Sequence, residues 1–261
     1  MNAGPHEVPI LLSVSSPSPE HLLRLQDALE AEERDYDLVR DVAARRAWAL
    51  EMIWERYYGS DPAAPRAYRL PIRSAAEWVL RPWFTHQVVQ MLRDWASLVD
   101  AARKPWPQKA AAMAEITERV RNRLPAAPSF ATRMASSGML HSFGFVSEAG
   151  WGADVLITNR CARTAVAVER FRRDHDGTLP GGLEDLVPKY MPAVPQDPLT
   201  GRPLLFRTAT GAYTIYSVGA DGKDDGGDLA SELRQVINRG WGRRLLKGKD
   251  LGARIVINSS M

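Results

Sequence analysis

The chain has 261 residues, enough for one large domain or two modest ones that bury a core without disulfide staples. With 45% hydrophobic and 25% charged residues, the composition is that of a globular protein and argues against disorder of the whole chain. The 34 basic and 31 acidic residues leave a formal charge of +3, too slight to indicate a nucleic-acid binder, and a single cysteine, Cys161, excludes an internal disulfide framework.

Residues 1–17 are expected to be a flexible N-terminus. Their apolar run, Val8 to Val14, is interrupted by Pro9 and Ser13 and lacks a basic flank, so it fails as a signal peptide. No later run approaches the roughly 20 apolar residues that a bilayer span requires, so no transmembrane segment is expected and the chain reads as soluble. Ser18-Pro19 has the form of an N-cap followed by proline at the first helical position, with Leu22, Leu25 and Leu29 recurring on one face. Val39, Ala43, Leu50, Ile53 and Tyr57 continue the helical pattern up to the turn formers Gly59-Ser60-Asp61-Pro62. Ser74 and Glu77 have capping-box spacing, and Pro82 is expected to interrupt that helix or start another. Phe84, Val88, Leu92, Trp95 and Val99 form one stripe, and Met113, Ile116, Val120 and Leu124 another. Residues 18–150 thus read as a helical array, with the stretch from Pro125 to Gly152 as irregular connection or short helix.

Beyond residue 150 the grammar changes. Cys161, Ala165, Val168 and Phe171 mark a helix that ends at Asp176-Gly177, where glycine supplies a left-handed cap. Leu183 to Val187 is one helical turn, after which Pro188, Pro192, Pro195 and Pro198 force an extended passage. Leu204 to Arg207 and Tyr213 to Val218 alternate like strands around a turn at Thr208 to Gly211, and Arg254 to Ile257 offers a third strand.

The ordered features Phe171, Gly177, Leu179-Pro180, the turn Leu183 to Pro188, the link Val194 to Pro198 and the strand running into Tyr216 to Gly222 carry a family resemblance. Over about a quarter of the chain, this succession resembles the globular head of the major pseudopilin of bacterial type II secretion. The resemblance implies one helix packed on a small antiparallel sheet, closed by a calcium-binding loop whose side-chain ligands match Asp221 and Asp228 best, then Asp225 and Asp224. It also brings to mind bacterial envelope proteins in which such a head follows a membrane anchor. The long apolar N-terminal helix of pseudopilins is missing from this sequence, so a helical region unrelated to the family is expected to precede the head.

The residues of the loop support a cation on their own chemistry. Asp221, Asp224, Asp225 and Asp228 lie in one stretch with Gly222, Gly226 and Gly227, so carboxylates and bent carbonyls can converge, and an all-oxygen set suits Ca²⁺ better than Zn²⁺. An EF-hand alternative places Asp221, Asp225, Gly226 and Glu232 at positions one, five, six and twelve, against which stand Lys223 at three and Asp228 at eight. A plain solvated turn is the remaining alternative.

Other chemistry is sparse. His6, His21, His86, His141 and His175 show no zinc spacing, and Cys161 with His175 sits too far along one helix for a nucleophile and base, so a packed cysteine is expected. Glu51 and Glu55 share a helical face without the Glu-x-x-His partner of a carboxylate metal site. The basic stretch from Arg234 to Arg254 reads as a solvated face beside the acidic loop, and most of Trp48, Trp54, Trp78, Trp83, Trp95 and Trp106 as core or interhelix packing, with one or two left exposed marking a partner surface instead. The expectation is therefore an α+β protein with a helical region at 18–150 and a head at 151–261. It is expected to be non-catalytic and associated with the cell envelope or secretion through a protein partner, without nucleic acid, and to hold a structural Ca²⁺. Its compartment is the envelope or periplasm if an upstream anchor has been lost, otherwise the cytoplasm. The alternative is a soluble enzyme or small-molecule binder with its site among the N-terminal helices.

Overall fold

The computed structural model describes residues 4–58, 75–123, 145–219, 221–229 and 250–257. Among these are six α-helices, α1 (Val8–Val14), α2 (Pro19–Asp35), α3 (Leu38–Tyr58), α4 (Ala75–Ala102), α5 (Gln108–Arg123) and α6 (Phe145–Asp174). A 3-10 turn at Leu183–Leu186 precedes three strands, β1 (Leu205–Ala209), β2 (Ala212–Ser217) and β3 (Leu251–Val256). The fold class is α+β. By contact the chain divides into two compact units, Met1–Tyr36 with Gly150–Met261, and Asp37–Ala149.

That division departs from a boundary at residue 150, because α2 belongs with the second half of the chain. Ser18 caps α2 by accepting the His21 N–H, and Leu22 and Leu29 are buried along one face. The polar groups beside that face meet α6. Asn159 Nδ2 donates to the Leu29 carbonyl at 3.1 Å, Arg160 Nε to Glu33 Oε1 at 2.8 Å, and Arg170 Nη1 to Gln26 Oε1 at 2.7 Å. The N-terminus departs from expectation as well: residues 8–14 are helical, with Pro9 in the first turn, where a missing N–H costs nothing. Val8 and Leu12 are buried, and Ser13 Oγ accepts the Val256 N–H at 3.1 Å, so α1 guards the outer edge of β3.

The sheet of this unit has the order β1-β2-β3, antiparallel throughout. Alternation along β2 gives it two faces. Tyr213 and Ile215 point to α6, paired across to Ile255 and Ala253 of β3, and all four are buried. Tyr213 Oη donates to Glu169 Oε1 of α6 at 2.8 Å, which satisfies a phenol that would otherwise be stranded in the core. Thr214 and Tyr216 lie on the opposite face, Thr214 between its register partners Arg207 and Arg254 and Tyr216 between Leu205 and Gly252. At the hairpin, Gly211 takes φ +70°, a left-handed value that glycine adopts without a Cβ clash.

Helix α6 is longer than its periodicity suggests, since it begins at Phe145 within a stretch that reads as irregular connection or short helix. It ends as expected: the Gly177 N–H reaches back to the Arg172 carbonyl at 2.8 Å with Gly177 at φ +85°. The proline-rich link that follows is organised by Asp197, which is buried. Its carboxylate accepts the Leu199 N–H at 2.8 Å, the Thr200 hydroxyl at 3.0 Å and the Ser217 hydroxyl at 2.9 Å.

The other unit holds α3, α4 and α5, with α4 in contact with both neighbours. Asp37 caps α3 by accepting the N–H groups of Val39 and Arg40 at 2.9 and 3.1 Å. The buried side chains of α3 include Leu38, Val42 and Ala49, so its inner face is rotated by one residue from the stripe Val39, Ala43 and Leu50. Helix α4 runs through Pro82 in one piece. Trp95 and Val99 of α4 and Met113, Ile116 and Val120 of α5 are buried as their spacing predicts. Ser74 and residues 125–144 lie outside the described residues.

Candidate functional site

The acidic loop leaves the end of β2 and folds back over the face of the sheet opposite α6. Three contacts pin it there. Tyr216 Oη donates to Asp224 Oδ1 at 3.0 Å, Arg207 Nη1 donates to the Gly226 carbonyl at 2.8 Å, and Gly227 lies so near Tyr216 that an added Cβ would stand 3.1 Å from its ring. Glycine is required at that close approach, and its φ of +75° requires it again.

The four expected ligands behave differently from one another. Asp221 is exposed and turns its Oδ1 back to accept the Lys223 N–H at 3.1 Å. Asp224 accepts the Gly226 N–H at 2.8 Å as well as the Tyr216 hydroxyl. Asp225 presents its backbone N–H inward, toward Asp250 Oδ1 at 3.4 Å, and its residue as a whole is exposed. Asp228 is exposed near the end of the loop. Among the described residues, no group of three His, Cys, Asp or Glu side chains gathers closely enough to hold an ion. Glu232, the last position of an EF-hand, lies outside the described residues.

The residue at the centre of the loop is one that the sequence pattern does not mark. Asp250, immediately before β3, is 3% exposed, and its Oδ2 accepts the Gly227 N–H at 2.7 Å. Burial pushes its carboxyl above the usual range, two backbone N–H groups pull it down, and the charges of Asp224 and Asp225 push it up again. Tyr216 responds to the same surroundings: burial first, then its bond to Asp224, push the phenol up to about 12. The loop therefore crowds carboxylates about Tyr216 and Asp250, with Arg207 as a countercharge beside them. Its donors are the hard oxygens a Ca²⁺ ion takes, but the arrangement turns them outward or into internal hydrogen bonds, so it does not gather them about one point.

Elsewhere, Cys161 is buried in α6, where burial, then the nearby Asp197 charge, pushes the thiol far above its ordinary range. It is a packed residue. Glu51 is exposed, and the side chain of Glu55 lies outside the described residues. Trp95 is buried, whereas Trp48 is 54% exposed. Of the basic stretch, Arg254 is described and exposed on β3, and residues 230–249 lie outside the described residues. No helix among the described residues is long and apolar enough to cross a membrane.

No protein-family model, curated protein or solved structure matches this chain.

Proposed function

We propose that this chain is a non-catalytic protein of the cell envelope or secretion apparatus, whose unit of α6 and three strands acts as a pseudopilin-like head toward a protein partner. The observation that carries the reading is the placement of an acid- and glycine-rich loop directly after β2, folded on the outer face of a small antiparallel sheet whose inner face packs on one long helix. The resemblance implies that order of helix, short turn, hairpin and loop.

The same reading gives the loop a structural Ca²⁺ held by Asp221, Asp225 and Asp228, with Asp224 beside them. Its support is electrostatic. Asp224 and Asp225 add like charge to the buried Asp250, whose burial and these neighbours raise its carboxyl, and a divalent cation relieves that repulsion. Binding draws outward-facing carboxylates together, so calcium acts on the order of the loop rather than on any reaction.

Thermal melting in calcium and in EGTA tests the cation. Calcium at a hundredfold above its Kd stabilises a protein that binds it only when folded by about 2.7 kcal/mol, a rise of about 5 °C or more at this size. Equal melting temperatures in the two buffers, with Asp221→Ala and Asp228→Ala matching the parent, remove the ion from the proposal. Fractionation of the native host tests the compartment separately: recovery with the envelope supports the reading, and recovery in the cytosol alone opposes it.

A further inference from the structure

We propose that the Asp250 carboxylate is a built-in anion that closes the acidic loop and clasps β3 to β2 without any cation. The polarity of the loop carries this inference. A loop shaped around a cation turns carbonyl oxygens inward, whereas one shaped around an anion turns N–H groups inward. Here the N–H groups of Asp225 and Gly227 both point at Asp250, at 3.4 and 2.7 Å, while the Gly226 carbonyl turns outward to the Arg207 guanidinium at 2.8 Å. Gly226 and Gly227 hold φ of +77° and +75°, the left-handed values that let the chain bend around the carboxylate. Asp250 is 3% exposed, so the acceptor side of these part-buried bonds is shielded from water.

The position of Asp250 gives the bonds their consequence. The next residue, Leu251, pairs with Ser217, the last residue of β2. A carboxylate fixed at that point joins the start of β3 to the segment leaving β2, and so ties together the two ends of the chain between them. The clasp goes beyond the calcium proposal and does not depend on it, because its acceptor is supplied by the protein.

Hydrogen exchange of individual amides in EGTA tests the clasp. In the parent, the Asp225 and Gly227 amides exchange about tenfold or more slowly than in Asp250→Ala, as expected for bonds to a buried charge. Asp250→Asn, which keeps one acceptor oxygen, falls between them. The paired amides of β1 and β2 report whether each variant is folded, and Asp250→Asn replaces Asp250→Ala if the latter is not. Equal loop exchange in the parent and a folded variant overturns the clasp, as does protection in the parent that arises only with calcium. A melting temperature indifferent to calcium removes the ion and leaves the clasp standing, so the two proposals fail separately.

Discussion

At the scale of single residues, buried acceptors carry the specificity of the unit that holds the sheet. Asp197 satisfies three donors from the link and from β2, and removing it strands the buried Ser217 hydroxyl and takes the partner from the half-buried Leu199 N–H and Thr200 hydroxyl. Asp197→Ala is expected to cost about 3 kcal/mol, and Asp197→Asn less, as read from urea midpoints. Cys161 gives a second prediction. Its thiol is buried and its ionisation suppressed, so it should stay inert to a thiol reagent in the native protein and react fully once unfolded. Reaction at a free-thiol rate in native buffer would contradict its packed position. Tyr216 sets a pH dependence of known sign. Its folded pKa of about 12 lies above the ordinary tyrosine value near 10, so its stabilising contribution is complete below about pH 10 and is lost as pH rises through 12. Stability measured across that alkaline range should fall more steeply in the parent than in Tyr216→Phe.

At the scale of elements, the edges of the sheet matter most. Helix α1 covers the outer edge of β3 with buried Val8 and Leu12, and Leu12→Ala is expected to cost about 2–3 kcal/mol and to increase light scattering as the strand edge becomes available. On the other side of β3, Gly252 sits where a Cβ would stand 2.6 Å from Tyr216 Cα, so Gly252→Ala should push the strands apart and lower the melting temperature by several degrees. Much of this level is legible in the sequence. The cap at Gly177, the hairpin at Gly211, the strands and the stripes of α2, α5 and α6 follow from turn chemistry and periodicity, both local properties. The inner face of α3 is not, because Leu38 and Val42 are as apolar as Val39 and Ala43, and only the position of α4 selects between adjacent stripes.

At the scale of the whole molecule, the division into units makes the N-terminal helices part of a discontinuous fold. A fragment of residues 150–261 lacks Leu29, Glu33 and Gln26, which meet Asn159, Arg160 and Arg170 of α6 respectively. That fragment is expected to lose cooperative melting by circular dichroism, and joining residues 1–36 to it through a flexible linker should restore the transition. Cooperative melting of 150–261 alone would show that α2 adds little to the unit.

The acidic loop shows where sequence information stops. Its aspartates and glycines, the left-handed backbone they permit and the strand that feeds them are visible because they are neighbours in the chain. Asp250 is not visible as their partner, nor Arg207 as a group that pins them, because those bonds join residues far apart along the chain; Tyr216 is nearer in sequence, but only the fold of the loop onto the sheet shows that it meets Asp224. By itself the sequence determined the class of each local element and the chemical character of the loop, since backbone propensity and charge are written residue by residue. Only the tertiary structure decided which face of the sheet the loop covers, which carboxylate it closes around and which helices belong to its unit. Those outcomes depend on buried contacts that form when distant segments pack.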